Sequence, residues 1–144
     1  MRVLLDANLF LSFLLHPTRD SAAVCLVRAA FEGRFTLLVP DRLLEEIESQ
    51  GSGKPYLAAR IPGPALNGLV DLIRSAAEFV PAIGAPIPSL TRDPKDDYLV
   101  AYAVLGRADY LVTGDLDLLT MGDVEGVKIV SPRAFLDLLG AEQG

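Results

Sequence analysis

The stretch Arg2-Val3-Leu4-Leu5-Asp6-Ala7-Asn8 opens with an apolar run of strand length and stops it at an acidic residue. Far downstream, Tyr110-Leu111-Val112-Thr113-Gly114-Asp115 ends in the same way. In an open parallel α/β sheet, ligands bind beyond the carboxyl ends of the strands, at the point where the strand order reverses. Asp6 and Asp115 are therefore expected to meet in one cleft. Carboxylates held that close repel one another unless something positive sits between them, and a bound divalent cation answers that need.

Outward from these two runs, strand and helix signals alternate, which points to an α/β fold with a parallel sheet and crossover helices. Strands are expected at Arg2–Leu5, Thr36–Val39, Glu78–Val80, Tyr110–Thr113 and Val127–Val130. Helices are expected over Leu9–Leu15, Ala22–Phe31, Arg42–Ser49 (capped by Asp41), Pro55–Arg60, Ala65–Ala77, Pro94–Gly106 and Pro132–Leu139, with a helical turn at Leu116–Leu119. Gly51-Ser52-Gly53 reads as a short flexible loop, and the Pro- and Gly-rich stretch Pro81–Pro94 as a longer one. No internal repeat and no low-complexity tail interrupts the pattern.

The 144 residues fit one domain, 1–144, with a real core. A hydrophobic share of 51% and a mean hydropathy of +0.35 sit at the apolar end of the soluble range. No apolar stretch near the start is long enough to span a bilayer, and Asp6 breaks what a signal peptide would keep apolar. The single cysteine, Cys25, cannot pair within the chain, so a reducing, cytoplasmic setting without membrane attachment is expected. Cys25 lies among Ala22, Ala23, Leu26 and Ala29 and reads as a small core residue. With one histidine, His16, a conventional zinc site is excluded. Neither GxGxxG nor GxxxxGK[ST] occurs, so nucleotide-phosphate loops are absent. A net charge of −6 argues against a nucleic-acid partner, except where several carboxylates serve as metal ligands.

Each acid has a plain structural reading to set beside a chemical one. Asn8 is a good N-cap residue, and a strand-to-helix turn explains it more easily than it explains Asp6. In Asp93-Pro94-Lys95-Asp96-Asp97, Asp93 caps a helix with Pro94 at its first position, and acids in the first turn suit the helix dipole. At about 100° per residue, however, Asp96 falls on the face of Leu99, Val100 and Ala103, where a carboxylate is costly unless paired or metal-bound. Asp97 lies at the edge of that stripe and is more easily solvated. On the Arg42–Ser49 helix, Leu43, Leu44 and Ile47 form the apolar face and Glu45 stands opposite it. Glu46 and Glu48 both flank the face, and periodicity does not choose between them. Asp115 or Asp117 can cap the Leu116–Leu119 turn after Gly114. Asp115 is favoured for function by the place where its strand ends, and Asp117 stays undecided.

Taken together, Asp6-Ala7-Asn8, Glu46, Asp96 and Thr113-Gly114-Asp115 resemble the PIN-domain family of metal-dependent ribonucleases. The stretches Arg92–Asp97 and Ala108–Asp115 are closest to its toxin-like bacterial branch. The resemblance runs from Val3 to about Leu138. It implies a three-layer α/β/α sandwich with a central parallel sheet of four to five strands, a frequent homodimer, and Mg²⁺ or Mn²⁺ at the acidic cluster. It selects Glu46 over Glu48 and agrees with Asp96 over Asp97 as the inward acid. Asp6, Glu46, Asp96 and Asp115 are then the catalytic and metal-binding set, with Glu46 as ligand or water-orienting base. Asn8, Asp97, Thr113 and Asp117 stand behind them as hydrogen-bonding support. The implied substrate is RNA, and an antitoxin protein is an implied partner. Arg19, Lys54, Arg60, Arg92 and Lys95 are the candidates for RNA contact, each equally readable as an ordinary solvated charge. One departure is Ala7, where most relatives carry a Thr.

Two other readings compete. A haloacid-dehalogenase-like phosphatase also starts with a strand followed by Asp-x-Asp, but Asn8 replaces the second Asp. A PIN-like domain without turnover would serve as a partner-binding module; the intact set of Asp6, Glu46, Asp96 and Asp115 argues against it.

Overall fold

In the computed structural model of the protein, residues 1–81, 83, 84, 87 and 94–143 are described. Arg92 and Asp93 fall outside them, as does most of the Pro81–Pro94 loop; the Lys95 side chain is likewise outside. Strand β1 (Arg2–Leu5) buries Val3, Leu4 and Leu5 completely, as a central parallel strand covered on both faces must. It leads into helices α1 (Ala7–Leu15) and α2 (Ala22–Phe31), the latter capped by the Ser21 hydroxyl. Strand β2 (Thr36–Pro40) is followed by α3 (Asp41–Gly53), α4 (Pro55–Ala58) and α5 (Gly63–Ala76), and then by β3 (Glu78–Val80). Helix α6 (Pro94–Leu105), β4 (Tyr110–Val112) and the turn α7 (Leu116–Leu119) come next. The hairpin β5 (Asp123–Val124) and β6 (Val127–Val130), with α8 (Pro132–Gln143), completes the chain.

The six strands lie in the order β3-β2-β1-β4-β6-β5, parallel throughout except for the β5–β6 pair. From β1 the chain steps outward to β2 and β3, then returns across the sheet to β4 on the other side of β1. The β1–β4 seam is therefore the switch point. Helices α1, α2, α3, α5 and α8 pack on one another in one layer, whereas α6, on the return connection, packs against β4. Right-handed crossovers put those two sets on opposite faces, which makes the three layers α/β/α. In α6 every residue from Asp96 to Val100 is buried.

Several sequence expectations change. The sheet has six strands rather than four to five, because the two-residue β5 is too short to leave a sequence signature. Its turn, Glu125-Gly126, has both residues at positive φ, the geometry of a two-residue hairpin loop. Asp41 is not a cap: Pro40 holds that position and Asp41 sits in the first turn of α3. Gly51-Ser52-Gly53 is helix, not loop. Gly51 is buried where α3 meets α5, and a Cβ there would stand 3.1 Å from the Leu66 side chain, so glycine is what the close approach requires. Cys25 is half-buried rather than a core residue.

Candidate metal and active site

Register builds the centre of the site. Leu5 pairs with Val112 across the β1–β4 seam, so Asp6 and Thr113 leave the sheet side by side. The Asp6 N–H donates to the Val112 carbonyl at 3.0 Å, and its side chain caps α1 by accepting the Asn8 N–H at 3.3 Å. The cap is thus Asp6, not Asn8, which is exposed within the first turn. The other Asp6 oxygen accepts the Thr113 hydroxyl at 2.8 Å. That fully buried hydroxyl in turn accepts the Asp115 N–H at 3.1 Å, so Thr113 joins Asp6 to Asp115. Asp115 caps α7 by accepting the Asp117 N–H at 2.9 Å.

Burial pushes the Asp6 carboxyl above its usual range, the Thr113 and Asn8 hydrogen bonds draw it back, and the charges of Glu46 and Asp115 push it up again. The charges of Glu46 and Asp115 therefore both reach Asp6. Glu46 stands on α3 and is held at both oxygens. Oε1 accepts from the Gln50 amide at 2.9 Å, and Oε2 accepts the Tyr98 hydroxyl at 2.5 Å. Tyr98, 2% exposed, is driven well above the ordinary phenol range by its burial and by Glu46, so it stays a proton donor. Glu48 instead lies 3.9 Å from Arg74 on an exposed surface, and Glu45 is exposed.

On the other flank, Asp96, Asp115 and Asp117 each bring one carboxylate oxygen to within 4.8 Å of the others. Asp6 and Glu46 stand outside this trio. Asp97 is as buried as Asp96, 6% against 7%, which corrects its expected solvation. It does not join the carboxylates: it lines a separate cavity with Val100, Ala101, Val104 and Val124. Among the described residues, neither Asp115 nor Asp117 makes an ion pair. Three carboxylates so close, with hard oxygen donors alone, fit a small divalent cation such as Mg²⁺ or Mn²⁺.

Of the basic residues expected to meet RNA, Lys54 lines a cleft of about 540 Å³ with Arg42, Glu46, Ser49, Gln50 and Tyr98. Arg19 lies in the exposed segment between α1 and α2, and Arg60 is exposed after α4. Tyr98, Gln50 and Arg42 are absent from the residues singled out by sequence. Nothing in the chain marks the Tyr98 hydroxyl.

An open α/β/α protein with carboxylates gathered at the switch point of its sheet is what this arrangement defines. The family profile described as PIN domain matches residues 2–117, and the chain belongs to the PIN domain family. The match takes in Asp6, Glu46, Asp96, Asp97, Asp115 and Asp117 and stops before the β5–β6 hairpin and α8. No curated protein matches the chain. PIN domains are nucleases, generally metal-dependent ribonucleases, so membership implies nuclease chemistry. Among the described residues, no helix is long and apolar enough to cross a membrane.

Proposed function

We propose that this chain is a Mg²⁺- or Mn²⁺-dependent endoribonuclease, a single domain over residues 1–144, and the toxin of a toxin–antitoxin pair. The observation that carries the nuclease reading is the convergence at the β1–β4 seam. Asp6 feels the charges of Glu46 and Asp115, while the oxygens of Asp96, Asp115 and Asp117 lie within 4.8 Å of one another. When bound there, a divalent cation supplies Lewis acidity toward the phosphodiester and lowers the pKa of water.

The side chains divide the remaining work. Asp96, Asp115 and Asp117 hold the cation, with Asp6 completing the set from β1. Glu46 accepts the proton of the attacking water, and the Tyr98 and Gln50 hydrogen bonds keep its carboxylate oriented for that transfer. Asn8, with Ser12, Gly114 and Asp115, lines the cleft on the far side of Asp6, where it can donate to the substrate strand. The hydroxyl missing at Ala7 has a counterpart in Thr113, which already donates to Asp6. An antitoxin partner, a homodimer and a cytoplasmic site of action follow from the toxin reading.

The test is cleavage of a labelled RNA with Mn²⁺ by the wild type and by Asp6→Asn. A loss of more than about a hundredfold in the variant is expected, since even residues behind metal ligands cost 10–100-fold. Equal cleavage by the two proteins would remove Asp6 from the site.

A further inference from the structure

Two clefts flank Asp6, and they differ in charge. The one on the α1 side, about 390 Å³, is lined by Asn8, Ser12, Ala23 and Asp115 and contains no Lys or Arg. The one on the α3 side carries two cations, Arg42 from the first turn of α3 and Lys54 from its carboxyl end. In a chain of net charge −6, two basic side chains beside a carboxylate site are an exception to the local field.

Arg42 is the more informative of the two. Its guanidinium lies over the Tyr98 ring, 4.5 Å from the centroid. Among the described residues it makes no ion pair and donates no hydrogen bond. A guanidinium stacked on an aromatic face is fixed in place while its N–H fork stays available, the geometry that recognises phosphate in bidentate fashion. The same Tyr98 donates to Glu46, so the stacked cation is one side chain away from the reacting locus.

Resting on the nuclease reading, we propose that the α3-side cleft is a phosphate subsite. Arg42 takes the backbone phosphate next to the scissile one, Lys54, twelve residues further along α3, takes a second phosphate of the same strand, and the strand's sugars and bases pass over the α1-side cleft, which holds no cation. Glu45 and Glu46 balance the two cations in charge, so free inorganic phosphate is held weakly and a strand is needed to engage both clefts.

The experiment measures binding of a labelled single-stranded oligoribonucleotide by fluorescence anisotropy over a range of salt, with Ca²⁺ in place of Mn²⁺. Wild type, Arg42→Ala and Arg42→Lys are compared, and cleavage by the wild type is measured with Mn²⁺ in parallel. Arg42→Ala is expected to bind roughly tenfold more weakly, the loss of one charge-assisted contact. Its log–log salt slope should be shallower by about 0.7, one single-strand phosphate contact. Arg42→Lys restores the slope but only part of the affinity, and the Mn²⁺-induced rise in Tm is the same in all three proteins. A wild-type slope in Arg42→Ala, whatever its affinity, overturns the subsite while the nuclease reading stands on wild-type cleavage. A wild type that neither binds nor cleaves RNA brings down both.

Discussion

The two ends of the β1–β4 seam handle charge in opposite ways. At the amino-terminal end, Arg2 draws its neighbours together by complementary contacts. The Arg2 guanidinium donates to the Gly106 carbonyl at 2.8 Å and pairs with Glu78 at 2.5 Å, while the Arg2 N–H donates to the Asp109 carboxylate at 2.8 Å. At the carboxyl end, acid faces acid: Asp6 with Glu46 and Asp115, and Asp115 with Asp96 and Asp117. A compensated charge ties strands together. Like charges gathered at a switch point oppose one another, and a positive ligand between them would relieve that cost. On the proposed function, the contrast separates structural charge from functional charge within one seam.

The strongest way to sharpen it is through the hydrogen bond that orients Glu46. Tyr98→Phe removes the phenol that donates to Glu46 but keeps the ring beneath Arg42. RNA cleavage should fall about 10–100-fold, the cost typical of a group that positions a catalytic carboxylate. The salt slope of RNA binding should not change. A variant that loses stability and keeps full activity would make Tyr98 an ordinary core residue.

A smaller effect reverses the usual sign of a mutation. The Asp6 carboxyl is raised above its ordinary 3.8 in the folded chain, so the fold favours its protonated form. Stability from that preference is fully present below pH 3.8 and is lost as pH rises through the raised value. Above the raised value the ionised Asp6 therefore weakens the metal-free protein. Asp6→Asn should melt a few degrees higher than wild type in EDTA at pH 7, and the two should converge as the pH falls below the raised value. A lower Tm for the variant at pH 7 would show that its hydrogen bonds outweigh the like-charge cost.

The smallest effect belongs to the other end of the seam. Glu78→Gln breaks an ion pair whose side chains are 51% and 38% exposed, so the cost in denaturant unfolding should stay under about 1 kcal/mol. RNA cleavage should be unaltered. A large loss of activity from this variant would erase the distinction between the two ends.

How much of this was legible in the sequence depends on how local each signal is. The meeting of Asp6 with Asp115 could be read because both follow apolar runs and parallel strands end at a common edge. Glu46 stayed level with Glu48 under periodicity, since both flank the face of Leu43, Leu44 and Ile47; the family resemblance chose between them. Asp97 was misplaced because α6 is buried nearly all round, so no polar edge exists for it to occupy. Asp117 remained undecided because a cap and a ligand look alike in a four-residue turn. Tyr98 and Arg42 were missed for a tertiary reason: one donates to, and the other stacks from, a helix some fifty positions away in sequence, as the Tyr98–Glu46 separation of 52 shows. Strand β5 escaped because two residues carry no period, and its Glu-Gly turn is a weaker hairpin signal than Asn-Gly.

The most direct measurement is the melting temperature of the wild type and Asp115→Asn, first in EDTA and then with Mn²⁺. A cation that binds only the folded state at a hundredfold excess over its Kd should raise the wild-type Tm on the order of 5–10 °C. The rise should disappear in Asp115→Asn, which breaks the trio with Asp96 and Asp117. An equal rise in both proteins, or none in the wild type at millimolar Mn²⁺, would contradict a metal centre at the carboxyl end of the seam.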